Sequence, residues 1–593
     1  MITTIIGLIL LLVPFLLINK FKNKKLGFFY VLSFVIGFHL VIAILTQLFH
    51  IFSYGIILGI NLLVCFIILL RLNFKELVKD IKRIKIDLIL VLVIIILFIQ
   101  LYSVHYNYTG KVTTVVEPYK EVKHMKYPYP YFSDEWYTVS FVRYSIKSGS
   151  LPLVNPLWYD SPFVNLELPF HSFVSEIILL LDLNPLTQYT ILNIFSGLLI
   201  CLLVYFILRV NKIDKFSSTI ACLSVPYIIN GANLPGIWTF IPLVMGIISM
   251  LLGFLFMSVD EKKMIFFAAF LTLVFYPPLF VLYGVSAILY FIFANISRKE
   301  KIKSMLLYSV LCALIAITVF VIVLLVTPSW ISAFDYVYLQ LFYKTFTKNA
   351  IPDFSIFKVV PVFILMFSAF GIFKAFRRRS WLVVPIFIGL VYWVFYSFVL
   401  WRVIIEYERV VVSTSILIVI LSGFGLCYLI TYLRRINFVR RYKILKISQF
   451  LILILFLIFS FFYTQRDNWQ GLKLYSLDRE KVNNPASPAN NYLQFDDLKL
   501  FEGINGKSFL SIPWKGTVIG VATGNYPLET KPGTISNTII RFRDFMGTDC
   551  EGKIKIAKDY RIDYVYSPEF KCSGFELIGT SSEGLYLYKV LKN

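Results

Sequence analysis

The chain has 593 residues, of which 58% are hydrophobic and 15% charged, with a mean hydropathy of +0.76. Such values exclude a soluble multidomain protein and describe a membrane protein. The net charge of 57 − 34 = +23 does not point to nucleic acid: a basic groove needs Lys and Arg clustered on a soluble face, whereas here they fall in short loops between apolar runs.

Apolar runs near 20 residues, each long enough to cross about 30 Å of hydrocarbon as a helix, recur from the N-terminus to Tyr463. The expected spans are roughly 3–19, 26–46, 52–71, 86–105, 189–208, 216–231, 236–258, 264–276, 279–297, 303–327, 358–375, 381–400, 410–432 and 444–463, about fourteen helices of a polytopic α-helical membrane protein. The first run lacks a basic leading segment and a small-residue cleavage site, so it reads as a retained helix. Between the runs lie basic clusters at 20–25, 71–85, 209–215, 260–263, 297–303, 374–379 and 434–443. The positive-inside rule places all of them in the cytoplasm. Parity then puts both termini, the loops at 106–188 and 328–357, the loop before Arg409 and the C-terminal region on the extracytoplasmic side of a cell membrane. For the parity to hold, the apolar piece 168–183 must not span. It is short, opens with Pro169 and holds His171 and Glu176, and so reads as a half-inserted or interfacial helix.

The loop at 106–188 contains "YPYPYFSDEWYTVSFVRYSIKSG", residues 127–149. Ser133 is placed to cap a helix beginning at Asp134, with two acids in the first turn, where the helix dipole favours negative charge. Trp136, Val139, Val142 and Ile146 form one apolar stripe, while Asp134, Thr138 and Ser145 align on another side. An amphipathic helix lying along the membrane surface, with Asp134 aimed away from lipid, is the expected result. On the simplest reading the acids only stabilise the helix start, by about 0.3–1 kcal/mol each. A carboxylate at the bilayer boundary is nevertheless costly to desolvate without a partner or a task, and such surroundings suit a general base. The same loop carries the glycosylation acceptor triplet Asn107-Tyr-Thr.

Further along, the "YPPL" turn at 276–279 makes Tyr276 a candidate substrate-lining residue. Asp335 and Asp353 lie with Trp330, Tyr336 and Tyr343 in a segment that suits either a sugar platform or interfacial aromatics. The late loop "WRVIIEYERVVV" carries Arg402, Glu406, Glu408 and Arg409 at a helix mouth. A guanidinium there suits a phosphate or pyrophosphate, which its planar fork binds bidentately. The competing reading is an internal ion pair of Arg409 with Glu406 or Glu408. Cys65, Cys201, Cys222, Cys312 and Cys427 fall within apolar runs as packing residues, whereas Cys550 and Cys572, in the soluble part, are either free or a disulfide.

From about residue 465 to Asn593 the composition becomes that of a soluble domain large enough for one core. Turn-rich text such as "VNNPASPANN" and "TKPGTIS" lies between the β-rich runs "GTVIGVAT", "IDYVYS" and "GLYLYKV", and the helix-like "NTIIRFRDFMG" is followed by "IKIAKDYRIDYVY". The order suggests a small α/β domain with no phosphate loop, catalytic triad or metal cluster of its own. The chain thus divides into 1–85, extra N-terminal helices; 86–464, the main transmembrane part; and 465–593.

At this point the chain resembles the GT-C superfamily of integral-membrane glycosyltransferases. The residues that carry the likeness are "SDEWYTVSFVRYSIKSGSLPLVNPLW" at 133–158, "LPFHSFVSEIILLL" with Pro169 and His171, and "YERVVV" at 407–412, with Val410 where the family pattern has Tyr. In layout the likeness covers roughly 86–463. It implies a polyprenyl-phosphate-linked sugar as donor, a glycan, lipid or protein as acceptor, and inversion at the anomeric carbon. Asp134 would be the general base and Glu135 the second candidate; Arg409, assisted by Arg402, would hold the lipid phosphate; Trp136 and His171 would line the substrate pocket, although a buried, satisfied histidine is the competing reading of His171. Family members that glycosylate asparagine add a second acidic motif and a Trp-Trp-Asp signature. Neither is found here: "IINGANLPGIW" has no acid and the C-terminal region no such signature. A divalent cation would want several oxygen ligands, and Asp134 and Glu135 alone are obvious, so no metal ligand or cofactor is assigned. The alternative, a transporter, flippase or polymer-export protein for lipid-linked saccharides, should show internal repeats and midplane charges. Here the charges cluster at the boundary.

Overall fold

The computed structural model describes the chain from Ile2 to Leu591 except residues 22–25, 73–86, 113–119, 131, 229–235, 294–297, 327–330, 333, 336–337, 339–341, 345–355, 377–378, 400, 436–443, 464–492, 532–534 and 536. Each expected apolar run contains a helix. They are α1 (Ile2–Leu12), α2 (Gly27–Leu48), α3 (Tyr54–Leu70) and α4 (Leu88–Tyr106), then α5 (Ser133–Ser148) and α6 (Leu168–Leu180) in the long loop. There follow α7 (Thr190–Val210), α8 (Lys215–Ser224), α9 (Pro242–Ser258), α10 (Lys262–Phe275), α11 (Phe280–Phe293) and α12 (Arg298–Val326). The last four are α13 (Val362–Phe376), α14 (Ser380–Val399), α15 (Tyr407–Leu433) and α16 (Ile444–Tyr463).

Among the described residues, four helices, α2, α4, α7 and α15, are long and apolar enough to cross a membrane. Prolines break several of the other apolar runs: Pro14, Pro226, Pro242 and the pair Pro277–Pro278 stand in the first turn of helical segments, where a missing N–H costs nothing. Small residues set the closest crossing: a Cβ on Gly425 would stand 1.7 Å from the Phe367 carbonyl oxygen, and one on Gly371 2.0 Å from that of Leu421. Two glycines therefore let the backbones of α13 and α15 touch.

The 21 residues of α7 rise about 30 Å and separate two ends of the helical body. At its C-terminal end, Arg379 Nε donates to Asn211 Oδ1 at 2.7 Å, and Lys215 pairs with Asp87 at 2.6 Å. Two of the basic loops thus meet there. At its N-terminal end, Asn193 contacts α5.

Neither α5 nor α6 lies as expected. Trp136, Val139 and Val142 are buried, but so are Thr138 and Ser145 on the polar side; α5 is packed against the C-terminal domain through Tyr137 and Arg143 and is exposed only at Lys147 and Ser148. The expected interfacial piece α6, 13 residues long, is walled by protein. His39 Nδ1 of α2 stands 2.9 Å from Glu176 Oε1, Asn61 of α3 reaches the same oxygen at 3.5 Å, and Ser172 donates to Gln47 Oε1 at 2.7 Å. Helices α2 and α3 therefore supply partners for polar groups that α6 would otherwise bury alone.

Three short antiparallel pairs ornament the loops: β1 (Tyr108–Val112) with β2 (Lys120–Met125), β3 (Val154–Asn155) with β4 (Ser161–Pro162), and β5 (Phe342–Lys344) with β6 (Trp401–Val403). The C-terminal domain is a five-stranded mixed sheet of β7 (Ser508–Ser511), β8 (Tyr526–Pro527), β9 (Tyr564–Ser567), β10 (Phe575–Thr580) and β11 (Tyr586–Val590), in the order β10-β11-β9-β7-β8. Helices α17 (Phe495–Leu500), α18 (Pro513–Thr523), α19 (Phe542–Met546) and α20 (Cys550–Asp559) complete it. The run "GTVIGVAT" is the second half of α18 and not a strand. Pro513 opens that helix, Gly524 closes it at φ 75°, and Gly516 and Gly520 press on Glu529 and Pro527; a short run buried on both faces has no readable period. Cys550 and Cys572 form a disulfide, while Cys65, Cys201, Cys222 and Cys427 are buried free thiols.

The domain is seated on the 133–160 region. Tyr159 stacks on Tyr526 at 3.9 Å, Asn155 Nδ2 donates to Asn537 Oδ1 at 3.2 Å, and Asn537 Nδ2 donates to the Leu157 carbonyl at 3.0 Å. Arg143 of α5 donates to the Val521 carbonyl of α18.

Candidate active site

The sequence expectation of a Ser133 cap needs correction by one residue. Helix α5 starts at Ser133, and the backbone N–H of Phe132 donates to Glu135 Oε2 at 2.8 Å. The other oxygen of Glu135 accepts from Asn193 Nδ2 at 2.7 Å and from the Phe240 N–H at 2.8 Å. With its side chain wholly buried and three N–H groups converging on it, Glu135 ties α5 to α7 and to the segment before α9. The expected second base is thus enclosed by protein and held by backbone and amide donors.

Asp134, one residue earlier and about 100° round the helix, has a different fate. Its Oδ2 stands 2.6 Å from Arg409 Nη2, with the two side chains 23% and 11% exposed. Arg409 Nε also faces Glu406 Oε2 at 3.3 Å, and its guanidinium carbon lies 5.6 Å from the Phe132 ring centroid. The internal ion pair of Arg409 with Glu406 is thus present, beside a contact with Asp134. Its remaining nitrogen, Nη1, is buried with no hydrogen-bond partner among the described residues.

The local fold explains why this arginine needs carboxylates. Chain direction reverses between β6 and α15 at Ile404, whose φ of 67° is a left-handed conformation that β-branched residues rarely adopt. Arg409 then falls in the first turn of α15, where the helix dipole disfavours a cation by about 0.3–1 kcal/mol. Asp134, by contrast, sits in the first turn of α5, where the dipole favours it. Two helix starts converge, and an anion is attracted by both the dipoles and the guanidinium.

Of the other expected site residues, Tyr276 follows α10 and lies within electrostatic range of Arg409. Trp136 is a core residue, fully buried and 6.5 Å from the Tyr129 ring, so it does not line an open pocket, although its indole N–H has no acceptor among the described residues. His171 is buried, its Nδ1 3.1 Å from Asn165 Oδ1, with Asn165 Nδ2 donating to the Pro152 carbonyl at 3.0 Å. It is the satisfied core histidine. Arg402 is the β6 residue opposite Tyr343 of β5. Asp335 is exposed, and Asp353, Trp330 and Tyr336 lie outside the described residues. Asn107 of the glycosylation triplet accepts or shares a hydrogen with His124 at 2.9 Å.

Sequence reasoning missed Phe132, Asn193, Tyr137 and Lys531. Tyr137 was findable, because it lies one turn beyond Asp134 on the same face of α5. Its hydroxyl donates to the Lys531 carbonyl at 2.8 Å. Burial, with Asp134 nearby, pushes the Tyr137 phenol well above the ordinary tyrosine range. Lys531, inside "TKPGTIS", carries no local signal. Among the described residues no three His, Cys, Asp or Glu side chains gather closely enough to hold a metal ion. What the arrangement offers is a carboxylate beside a guanidinium with one buried N–H donor group that has no partner among the described residues.

No family model and no curated protein matches the chain. It is similar to solved structures of the archaeal oligosaccharyltransferase AglB from Archaeoglobus fulgidus. The form tethered to an acceptor peptide containing an NVT sequon is 12% identical with a TM-score of 0.45, over 85% of this chain and 74% of that one. The complex with an inhibitory peptide and a dolichol-phosphate is 11% identical with a TM-score of 0.47, over 81% and 69%. A complex with zinc and sulfate is 11% identical with a TM-score of 0.43, over 84% and 73%.

Proposed function

We propose that the chain is an inverting membrane glycosyltransferase of the GT-C type, which moves a sugar from a polyprenyl-phosphate donor to an acceptor hydroxyl on the extracytoplasmic side of the cell membrane. The observation that carries this reading is the 2.6 Å pairing of Asp134 with Arg409 together with the unpartnered, buried Nη1 of the same guanidinium. A buried donor left over in an ion pair is a place for an anion. Asp134 alone would be a base tied up by its partner. A donor phosphate arriving at Nη1 competes for the guanidinium and loosens its hold on the carboxylate, so that donor binding frees the base.

In the reaction, the acceptor oxygen attacks the anomeric carbon as its proton passes to Asp134. The new O–C bond forms on the face opposite the leaving group, and the bond from the anomeric carbon to the phosphate oxygen breaks. The electron pair departs on polyprenyl phosphate, whose charge Arg409 stabilises. Glu135 takes no part in proton transfer; it fixes the start of α5 and with it the direction of Asp134. Tyr276 and Phe132 flank the guanidinium.

The test is a transfer assay in membranes with a panel of polyprenyl-phosphate sugars. Asp134→Asn should lower turnover roughly 10²–10⁴-fold, and Arg409→Ala should lower it by a comparable factor. Wild-type turnover by Asp134→Asn would remove the catalytic assignment. Movement of an intact lipid-linked saccharide across the bilayer, with no bond cleaved, would replace it with transport.

A further inference from the structure

The sequence of the C-terminal domain shows no phosphate loop, catalytic triad or metal cluster, which fits an accessory or substrate-contacting domain with no chemistry of its own. Its seat on α5 changes that. Tyr137 donates to the main-chain carbonyl of Lys531 at 2.8 Å, and the Lys531 N–H donates to Thr517 Oγ1 of α18 at 3.0 Å. The backbone at 531 is therefore pinned between α5 and α18. Tyr137 and Asp134 are three residues apart, a separation of about 4.5 Å along the helix axis and on one face. A lysine stem is long enough to reach back over that single turn.

Three facts describe the ammonium at its tip. It lies mostly buried yet near enough to Asp134 to feel its charge: burial pushes the group below the usual lysine range, and Asp134 pulls it back up. Among the described residues it makes no ion pair closer than 4.0 Å and no hydrogen bond. Asp134 is already engaged by Arg409, so the carboxylate does not neutralise both cations. A half-enclosed ammonium without its own counter-ion is costly unless an anion visits it.

We infer that the Lys531 ammonium and the free Nη1 of Arg409 together hold the phosphate of the donor, so that the C-terminal domain completes the active site instead of merely covering it. The inference rests on the glycosyltransferase reading for the identity of the anion. It adds that one cation comes from the helical body and the other from the soluble domain. Phosphate binding then depends on how the two parts are docked, and Tyr137 is the hinge pin of that dependence.

The experiment uses the full chain in detergent micelles and reads binding of farnesyl phosphate by calorimetry, with farnesol as the uncharged control. Lys531→Met should weaken farnesyl phosphate binding roughly tenfold or more, the scale of a lost charge-assisted hydrogen bond, and leave farnesol binding unchanged. Lys531→Arg keeps the charge and should restore most of the affinity. Wild-type binding by Lys531→Met would overturn the inference. So would equal weakening by the Met and Arg variants with a lowered melting temperature, which would mark a structural lysine. The catalytic reading falls separately, on Asp134→Asn turnover, because Asp134→Asn is expected to bind farnesyl phosphate without turning over donor.

Discussion

Asp134 and Glu135 are chemically near-identical neighbours, and a 100° turn of helix gives them opposite work. Asp134 meets a cation and keeps 23% of its side chain exposed, while Glu135 is sealed in and accepts three N–H groups. Replacing Glu135 by Ala leaves three buried donors without an acceptor, a loss on the order of 3 kcal/mol or more. Glu135→Ala should therefore show a lowered melting temperature in detergent and a poor yield, whereas Asp134→Asn should keep its melting temperature and lose transfer. If the two variants behaved alike, the division between scaffold and base would be wrong. Arg409→Lys makes a finer cut. Lysine keeps the charge but lacks the fork that serves Asp134, Glu406 and an anion from separate nitrogens, so donor KM should rise about tenfold or more even though the net charge is unchanged. The sequence showed both halves of this site, since an acid and an arginine at helix starts are visible one loop at a time. Their meeting across 275 positions has no local signature in the sequence, and neither has Lys531, because a lysine in a turn looks like any solvated lysine.

At the scale of the element, apolar runs were easy to find and their surroundings were not. The run containing α6 could be recognised as too short to cross, but its Glu176 gave no hint that α2 and α3 would provide the partners. The same limit hid α18, whose Val, Ile and Thr suggest a strand until Pro513 and Gly524 are read as its two ends. The buried pair of His39 and Glu176 gives the first three helices a testable role. His39→Leu removes one partner and strands a buried carboxylate, which costs roughly 3–5 kcal/mol, while removing both groups costs far less. His39→Leu should thus reduce the recovery of monodisperse protein on size exclusion, and the double variant with Glu176→Leu should regain much of it. A double variant worse than the single one would show that the pair is not the link. The crossing of α13 and α15 gives the complementary prediction. Gly425→Leu drives a side chain into the Phe367 carbonyl, separating the helices and displacing Arg409 at the head of α15, so activity should fall further than stability alone explains.

For the whole molecule the decisive question is which way the site faces, because a polyprenyl-linked donor and its acceptor meet on one side of the membrane. Two basic loops gather where Arg379 meets Asn211, near Lys212 and Lys215, and about 30 Å of α7 separates them from the site. The C-terminal domain is docked at the Asp134 end. Its disulfide suits an oxidising compartment, and the Lys and Arg of the loops at the opposite end suit the cytoplasm, which is the orientation the proposed function requires. The prediction uses single cysteines at exposed positions: Lys558→Cys on α20 and Lys212→Cys between α7 and α8. A membrane-impermeant maleimide added to intact cells should label position 558 and leave 212 unmodified until the membrane is opened. The four described free thiols are buried and should contribute little background. The reverse pattern would place Asp134, Arg409 and Lys531 on the cytoplasmic side. A donor displayed on the outer leaflet would then be out of their reach, and the reaction proposed for them would have to draw on a donor made and consumed on the inner one.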